Sequence, residues 1–237
     1  MRTLGLLGGM AWDSTLTYYR LINQRVRERL GGLRSAPIIL YSVDFEPIER
    51  MQREARWDEA GQYLGTLGRK LKEAGAQMLL ICTNTMHWVA EEVERLSGVP
   101  LLHIADATAQ ALKAQGIHTV GLLGTRYVME QDFYVGRLRE RHGLEVVVPD
   151  EAGRQTVHQI IFQELVQGIR KSESRQRLAA LAEGLIQRGA QGVILGCTEL
   201  GLLLRPEEVS VPLFDTTVLH AQAAADWAMA DELPPSA

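Results

Sequence analysis

The sequence predicts an α/β protein made of two pseudo-symmetric lobes, each a mainly parallel sheet flanked by helices. Two observations support this fold class. Short apolar runs typical of buried strands alternate with longer segments in which apolar residues recur at helical spacing. In addition, strings from the first half of the chain recur in the second half, in the same order and at nearly one offset.

The elements of the first half alternate in kind. A strand at residues 3–7 ends in Gly8-Gly9, and a helix follows at 14–30, with Ser14 as its predicted N-cap. The next elements are a strand at 37–43, a helix at 57–74 closed by Gly75, a strand at 77–81 and a shorter strand at 99–102. Parallel strands need such crossover connections, so this order favours a parallel sheet.

The internal repeat consists of three pairs of similar strings. Residues 3–8 match 119–124, residues 75–81 match 189–195, and residues 99–101 match 211–213, at offsets of 116, 114 and 112. Because the order is kept and the offset hardly changes, we interpret the chain as two copies of one architecture related by a pseudo-twofold axis. We expect a first lobe of residues 1–98 plus 209–230, a second lobe of 99–208, and a flexible tail at 231–237.

Composition excludes several classes of protein. The 237-residue chain has 23% charged residues and a formal net charge of −4, which disfavours a nucleic-acid-binding surface. No apolar run is long enough to cross a bilayer, and no signal peptide is recognisable. Two cysteines, Cys82 and Cys197, cannot make a disulfide framework. A soluble cytoplasmic protein with no nucleic-acid or membrane partner is expected.

The repeat places two polar turns in equivalent positions. The offset of 114 puts Thr83 opposite Cys197, and Asn84-Thr85 opposite Thr198-Glu199. Both turns follow a strand, where open α/β sheets bind their ligands, so we expect a small ligand in the cleft between the lobes. A thiol has a pKa of about 8.5 that falls at a helix N-terminus. We therefore expect Cys197, at the start of a predicted helix, to form a thiolate readily.

Three motifs carry a resemblance to a known family. Gly8-Gly9-Met10, the segment 83–87 (Thr-Asn-Thr-Met-His) and the segment 196–199 (Gly-Cys-Thr-Glu) resemble the aspartate/glutamate racemase family. The resemblance runs from Leu4 to about His220. The family's first turn normally has Cys before Asn-Thr; Thr83 at that position, with the runs at 103–108 and 124–134, is similar to the L-aspartate/glutamate-specific subgroup.

The resemblance implies racemisation of an acidic amino acid, L-aspartate or L-glutamate, without a cofactor or metal. Such a reaction needs two acid–base groups on opposite faces of the α-carbon and hydrogen-bond donors for the carbanion. These roles fall on Cys197 for the L-form and on Thr83 for the opposite face. A homodimer is expected by analogy.

The resemblance also implies a set of substrate-binding residues. Family members use an Arg and a Lys to bind the ligand's carboxylates; here Gln52 occupies the Arg position, and the segment 163–168 contains no Lys. Arg50, Arg53 or Arg126 could supply the positive charge, and Glu164 could bind the substrate ammonium group. The expected substrate-binding residues are Met10, Gln52, Asn84, Thr85, Thr125, Glu164 and Thr198.

Other interpretations stay open for several of these residues. Cys82 is predicted to be a buried packing residue. Thr83 could cap the following helix as well as take part in catalysis. Gly8-Gly9 lacks the motifs of a nucleotide loop, and His87 and His103 form no metal-ligand set with the cysteines. At the level of function, a single-cysteine decarboxylase or isomerase of the same superfamily, or a non-catalytic small-ligand binding protein, are the alternatives.

Overall fold

The computed structural model describes residues 1–232, which form two compact units. The first comprises Met1–His103 together with the C-terminal segment that begins at His220, and the second comprises Ile104–Leu219. Each unit contains one parallel sheet flanked by helices. The predicted α/β fold class with two parallel sheets is confirmed.

The first sheet has three parallel strands in the order β2-β1-β3. The elements of this unit are β1 (Leu4–Gly8), α1 (Trp12–Leu30), β2 (Ile38–Ser42), α2 (Phe45–Arg53), α3 (Trp57–Glu73), β3 (Met78–Ile81) and α4 (Ala90–Ser97). A 3-10 helix at Thr85–Val89 lies between β3 and α4. The central strand β1 is buried along its whole length, as expected of a strand covered on both faces.

Alternate residues of β1 and β3 pack into different cores. Leu6 and Leu80 pack with residues of α1 and of the C-terminal helix, whereas Leu7, Leu79 and Ile81 pack with residues of α3. This alternation follows from the two-residue period of a strand. The ends of β1 and β3 are therefore fixed by apolar contacts from both sides.

The second sheet has four parallel strands in the order β5-β4-β6-β7. The elements of this unit are α5 (Ile104–Ala114), β4 (Thr119–Gly124), α6 (Arg126–Glu130), α7 (Val135–Glu140), β5 (Glu145–Val147), α8 (Glu151–Gln163), α9 (Ser172–Gln187), β6 (Val193–Gly196) and β7 (Leu213–Asp215). The last helix, α10 (Thr216–Met229), starts in this unit and from His220 onwards belongs to the first. In both units the first strand lies between the second and third, so the repeated strings correspond to a repeated topology.

The predicted lobe boundaries are wrong at two places. Residues 209–219 belong to the second unit, because β7 pairs with β6 from Val193↔Leu213 onwards. Residues 99–103 belong to the first unit, where the predicted strand at 99–102 is only an isolated bridge, Leu79↔Leu101. Pro100 has no N–H to donate, so the pairing cannot extend to the residues before it.

Two local predictions also need correction. Helix α1 starts at Trp12 with Ala11 at the N-cap position, so Ser14 is a buried residue of the first turn and not the cap. The predicted tail starts too early: Asp231 pairs with Arg2, and Glu232 pairs with the N-terminal amine at 2.9 Å. Residues 233–237 lie outside the described residues. Within residues 1–232, every helix is too short or too polar to cross a membrane.

Candidate active site

The turn between β1 and α1 is closed by glycine. Gly9 adopts a left-handed conformation with φ of +95°, and a Cβ there would lie 2.3 Å from the carbonyl oxygen of Val43. The N–H of Gly9 donates to Thr15 Oγ1 at 2.8 Å, which ties the turn to the helix. Met10 follows this turn and is buried. The backbone, with no room for a side chain at Gly9, sets the position of Met10.

The Thr83 turn follows the neighbouring strand β3. Among residues 79–87, all of which the structure describes, Thr83 alone is partly exposed. Its neighbours Asn84 and Thr85 are buried, at 3% and 6% exposed. The carbonyl of Thr83 accepts a hydrogen bond from His87 Nδ1 at 2.8 Å. Asn84, not Thr83, occupies the N-cap position of the next 3-10 helix. Thr83 is therefore the accessible residue of an otherwise buried turn.

Cys82 lies on the other face of the same strand end. It is fully buried and packs in the core with residues of α1 and α10. Burial raises the pKa of this thiol, which disfavours its reactive thiolate form. The structure thus places Cys82 as the packing residue that the sequence predicts.

Gln52, at the predicted carboxylate-binding position, also lies in the first unit. It is 4% exposed, and its Nε2 donates to the sulfur of Met86 at 3.0 Å. Arg50 is exposed, and Arg53 forms an ion pair with Glu49 at 3.0 Å. The buried polar side chain at this position is therefore an uncharged amide, and the neighbouring arginines Arg50 and Arg53 lie on the surface.

The Cys197 turn follows β6 in the second unit. The thiol of Cys197 donates to Glu199 Oε2 at 2.9 Å, and the hydroxyl of Thr198 donates to the same oxygen at 2.6 Å. Glu199 is 8% exposed, so the carboxylate is buried while accepting both bonds. A buried carboxylate in direct contact with a thiol is a proton acceptor for that thiol.

The predicted thiolate at Cys197 is contradicted by its surroundings. Burial raises the pKa of Cys197 well above its usual value, and the negative charge of Glu199 raises it further. The predicted helix is also absent from this part of the described chain: a single 3-10 turn, Leu200–Leu202, follows Glu199. The helix-terminus argument therefore fails, and burial together with the neighbouring carboxylates favours the protonated thiol.

Asp215 is a second carboxylate beside this turn. It ends β7, pairs with Leu195 of β6, and its Oδ1 accepts N–H bonds from Thr217 at 2.8 Å and Val218 at 3.2 Å. Burial raises the pKa of Asp215, and its charge adds to the raised pKa of Cys197. The sequence offers no signal for this residue, because its position depends on the pairing of β6 with β7.

Thr125 and Glu164, the remaining predicted residues of the second unit, lie on different elements and have different partners. Thr125 follows β4, whose Gly124 pairs with Gly196, so Thr125 and Cys197 follow neighbouring strand ends. The Thr125 hydroxyl accepts from Val128 N at 3.3 Å as the N-cap of α6. Glu164 lies at the end of α8, where it binds Lys171 Nζ at 3.1 Å and the Ser174 hydroxyl at 2.6 Å.

Arg126 and Glu164 are both engaged in ion pairs. Arg126 forms an ion pair with Glu130 at 3.3 Å on the surface. The Glu164 carboxylate is already in contact with a lysine, so the predicted ammonium-binding role would need that pair to open. Within the described chain, no three His, Cys, Asp or Glu side chains are arranged to hold a metal ion.

Comparison with known proteins agrees with these motifs. The model of the Asp/Glu/Hydantoin racemase family matches residues 7–224, which include both polar turns. This chain belongs to the Asp/Glu/Hydantoin racemase family. The resemblance that the sequence predicts is thereby confirmed, and so is the class of enzyme, a racemase-family isomerase.

Individual members of the family cover most of the chain. A crystal structure of a candidate Asp/Glu racemase from Yersinia pestis is 54% identical and covers 97% of this chain and 100% of its own, with a TM-score of 0.92. An aspartate racemase homologue from Pyrococcus horikoshii OT3 is 35% identical over 96% of this chain and 99% of its own, with a TM-score of 0.83. The broad specificity amino-acid racemase RacX of Bacillus subtilis is 27% identical over 65% of this chain and 66% of its own.

The family leaves the finer predictions open. The roles of Thr83 and Cys197, the set of substrate-binding residues, the homodimer and the cytoplasmic location stay predictions. The sequence does not indicate that Glu199 contacts the Cys197 thiol, that Asp215 lies beside this turn, or that His87 holds the Thr83 carbonyl.

Proposed function

We propose that this racemase-family chain inverts the α-carbon of an amino acid by proton transfer, without a cofactor, with Cys197 and Thr83 acting on opposite faces of one substrate. The observation that carries the proposal is the contact between the Cys197 thiol and the Glu199 carboxylate at 2.9 Å. The sequence repeat pairs this turn with that of Thr83, which is the partly exposed residue of its own turn.

The proposed reaction starts at the thiol. Glu199 accepts the thiol proton from Cys197, and the resulting thiolate removes the α-proton of the L-amino acid. The Thr83 hydroxyl then delivers its proton to the opposite face of the carbanion. Glu199 loses its proton to solvent and Thr83 regains one from solvent, so the protein ends in its starting state. Proton transfer by a positioned side chain contributes about 10²–10⁴-fold to such a rate.

The proposed substrates are acidic amino acids, L-aspartate or L-glutamate, in keeping with the family's description. A second substrate range has its own support. Gln52 stands where a binding Arg is expected, the segment 163–168 contains no Lys, and Glu199 and Asp215 add negative charge beside Cys197. These residues favour neutral or basic side chains, and RacX is a broad specificity racemase.

The test is a panel of L- and D-amino acids, acidic, neutral and basic, scored for inversion by chiral separation. The assays contain no added cofactor and are repeated with a chelator and with a carbonyl-trapping reagent. Inversion of aspartate or glutamate under all three conditions is expected. Faster inversion of neutral or basic amino acids would support the second substrate range, and activity that needs a metal or pyridoxal phosphate would refute the cofactor-free mechanism.

One other reaction has a specific observation in its favour. Because Cys82 precedes the Thr83 turn and packs in the apolar core, Cys197 is the single thiol on the two turns. A single thiol suits one-sided protonation of a planar intermediate, as in a decarboxylase. Release of carbon dioxide from a substituted malonate, without inversion of any amino acid, would support that reaction. Ligand binding with neither inversion nor exchange of the α-proton would support a non-catalytic binding protein.

A further inference from the structure

Three histidines are buried together in the first unit. His87, His103 and His220 are 2%, 5% and 0% exposed, and they come from three separate parts of the chain. The ring of His87 lies 4.6 Å from that of His103 and 5.6 Å from that of His220, centroid to centroid, with edge-to-face geometry. Packing from two sides fixes the orientation of the His87 ring.

Hydrogen bonds fix the protons on two of these rings. His220 Nε2 lies 2.8 Å from the carbonyl oxygen of Leu102, which can only accept, so Nε2 donates. Its Nδ1 lies 2.8 Å from the Tyr18 hydroxyl. By the same reasoning His87 Nδ1 donates to the carbonyl of Thr83, also at 2.8 Å. The side chain of His87 therefore holds the Thr83–Asn84 peptide.

The Cys197 turn has no equivalent of this ring. The offset of 114 places Gly201 opposite His87, and a Cβ at Gly201 would lie 2.4 Å from Asp215 Oδ2. The carbonyl of Cys197 instead accepts the backbone N–H of Leu200 at 3.1 Å. The carbonyl of Thr83 is thus held by a side chain that can be replaced, and the carbonyl of Cys197 by the backbone of its own turn.

We propose that His87 is a positioning residue that orients Thr83 for proton transfer, and that the packed rings of His103 and His220 keep it in place. This role rests on the proposed function. Because the peptide of Thr83 carries the side chain, loss of the bond from His87 displaces the hydroxyl that delivers the proton. A displacement of about 1 Å at a reacting group can cost about 10²-fold in rate. The Cys197 half of the reaction does not depend on this bond.

The experiment compares His87→Asn with His87→Gln. The Asn Nδ2 is separated from the backbone by as many bonds as His Nδ1, so it can donate to the Thr83 carbonyl, whereas the Gln amide is one bond longer. Two rates are measured on the amino acid that the wild type inverts best. One is inversion, which needs both faces, and the other is deuterium exchange of the L-form α-proton, which needs Cys197 alone.

We expect His87→Asn to keep inversion within about threefold of wild type and His87→Gln to lose about 10–10²-fold. Both variants should keep L-form exchange within about twofold. Equal inversion by the two variants, or a parallel loss of exchange and inversion in either folded variant, would overturn the role of His87. If wild type neither inverts nor exchanges any amino acid, the proposed function itself fails, which is a different result from any difference between the variants. If neither variant folds, the ring is structural and the proposal is overturned.

Discussion

The Thr83 turn and the Cys197 turn follow equivalent strands, but their surroundings differ in charge. Cys197 donates to the Glu199 carboxylate and has Asp215 nearby, so its turn is rich in buried negative charge. The Thr83 turn is backed by three buried imidazoles and an uncharged amide, Gln52. The repeat has thus kept the order of the strands and changed the groups around the two turns.

This difference assigns the two turns different chemistry. A thiol next to a carboxylate can lose its proton to that carboxylate and then act as a base. A threonine hydroxyl is a much weaker acid than a thiol, and it delivers a proton more readily than it starts a reaction as a base. We therefore expect the proposed reaction to start well from the enantiomer whose α-proton faces Cys197 and poorly from the other.

Removal of the thiol should have the largest effect. Cys197→Ser replaces the acid–base group by a hydroxyl, and we expect inversion and L-form exchange to fall by about 10³-fold or more with the fold intact. Cys82→Ala is the matched control, because this thiol is buried in the core and should cost stability and not activity. Near-normal inversion by folded Cys197→Ser would remove Cys197 from the mechanism.

Changes at Thr83 test the other half of the comparison. Thr83→Val removes the hydroxyl with little change of shape, and we expect inversion to fall by about 10²-fold while L-form exchange persists. Thr83→Cys should raise turnover from the D-form. The ratio of the two kcat/KM values is fixed by the equilibrium in water, so wild-type asymmetry must appear in kcat and KM together. Equal exchange rates and equal kcat from both enantiomers of wild type would contradict the weaker role of Thr83.

The sequence predicts what depends on strings and periodicity. The repeated strings at 3–8 and 119–124 predict the strands β1 and β4, and the Gly-Cys-Thr-Glu motif indicates the family. Contacts made by distant residues are not predictable in this way. The thiolate prediction for Cys197 fails because the burial and the neighbouring carboxylates depend on tertiary packing. The lobe boundary at 209 fails because strand pairing, which places β7 beside β6, leaves no local signal.

Removal of the Glu199 carboxylate should change activity less than removal of the thiol. It should speed up alkylation of Cys197 and slow down inversion. Glu199→Gln takes away a negative charge that raises the pKa of Cys197, so that pKa should fall and the thiolate fraction should rise at a given pH. Alkylation of Cys197 by iodoacetamide, followed by mass spectrometry across pH, should therefore speed up several-fold and begin at lower pH. Inversion should fall by about tenfold or more, because the proton acceptor is lost.

Cys82 is the internal reference for this measurement. Its thiol is buried with a raised pKa, and its alkylation should stay slow and unchanged in the variant. Slower or equal alkylation of Cys197 in Glu199→Gln would mean that the carboxylate does not hold the thiol in its protonated form. The Glu199 charge would then not be a cause of the raised pKa of Cys197. Unchanged inversion by Glu199→Gln is the result that would remove Glu199 as the proton acceptor.

The smallest effect concerns the position four residues beyond each turn residue, which is His87 in one unit and Gly201 in the other. Gly201→Ala would place a Cβ 2.4 Å from Asp215 Oδ2, and that carboxylate cannot move easily because its Oδ1 accepts from Thr217 and Val218. We expect the free energy of unfolding to fall by about 1–3 kcal/mol in urea titrations.

The control variant is Gly184→Ala, in helix α9, where no atom lies within 4 Å of the new Cβ. Its free energy of unfolding should instead rise by about 0.5–1 kcal/mol, because Ala has a higher helix propensity than Gly. If Gly201→Ala is as stable as Gly184→Ala, Asp215 has room to turn away from the Cys197 turn. Asp215 would then not be the reason why position 201 has no side chain. The difference from His87, at the equivalent position of the first unit, would have no steric explanation.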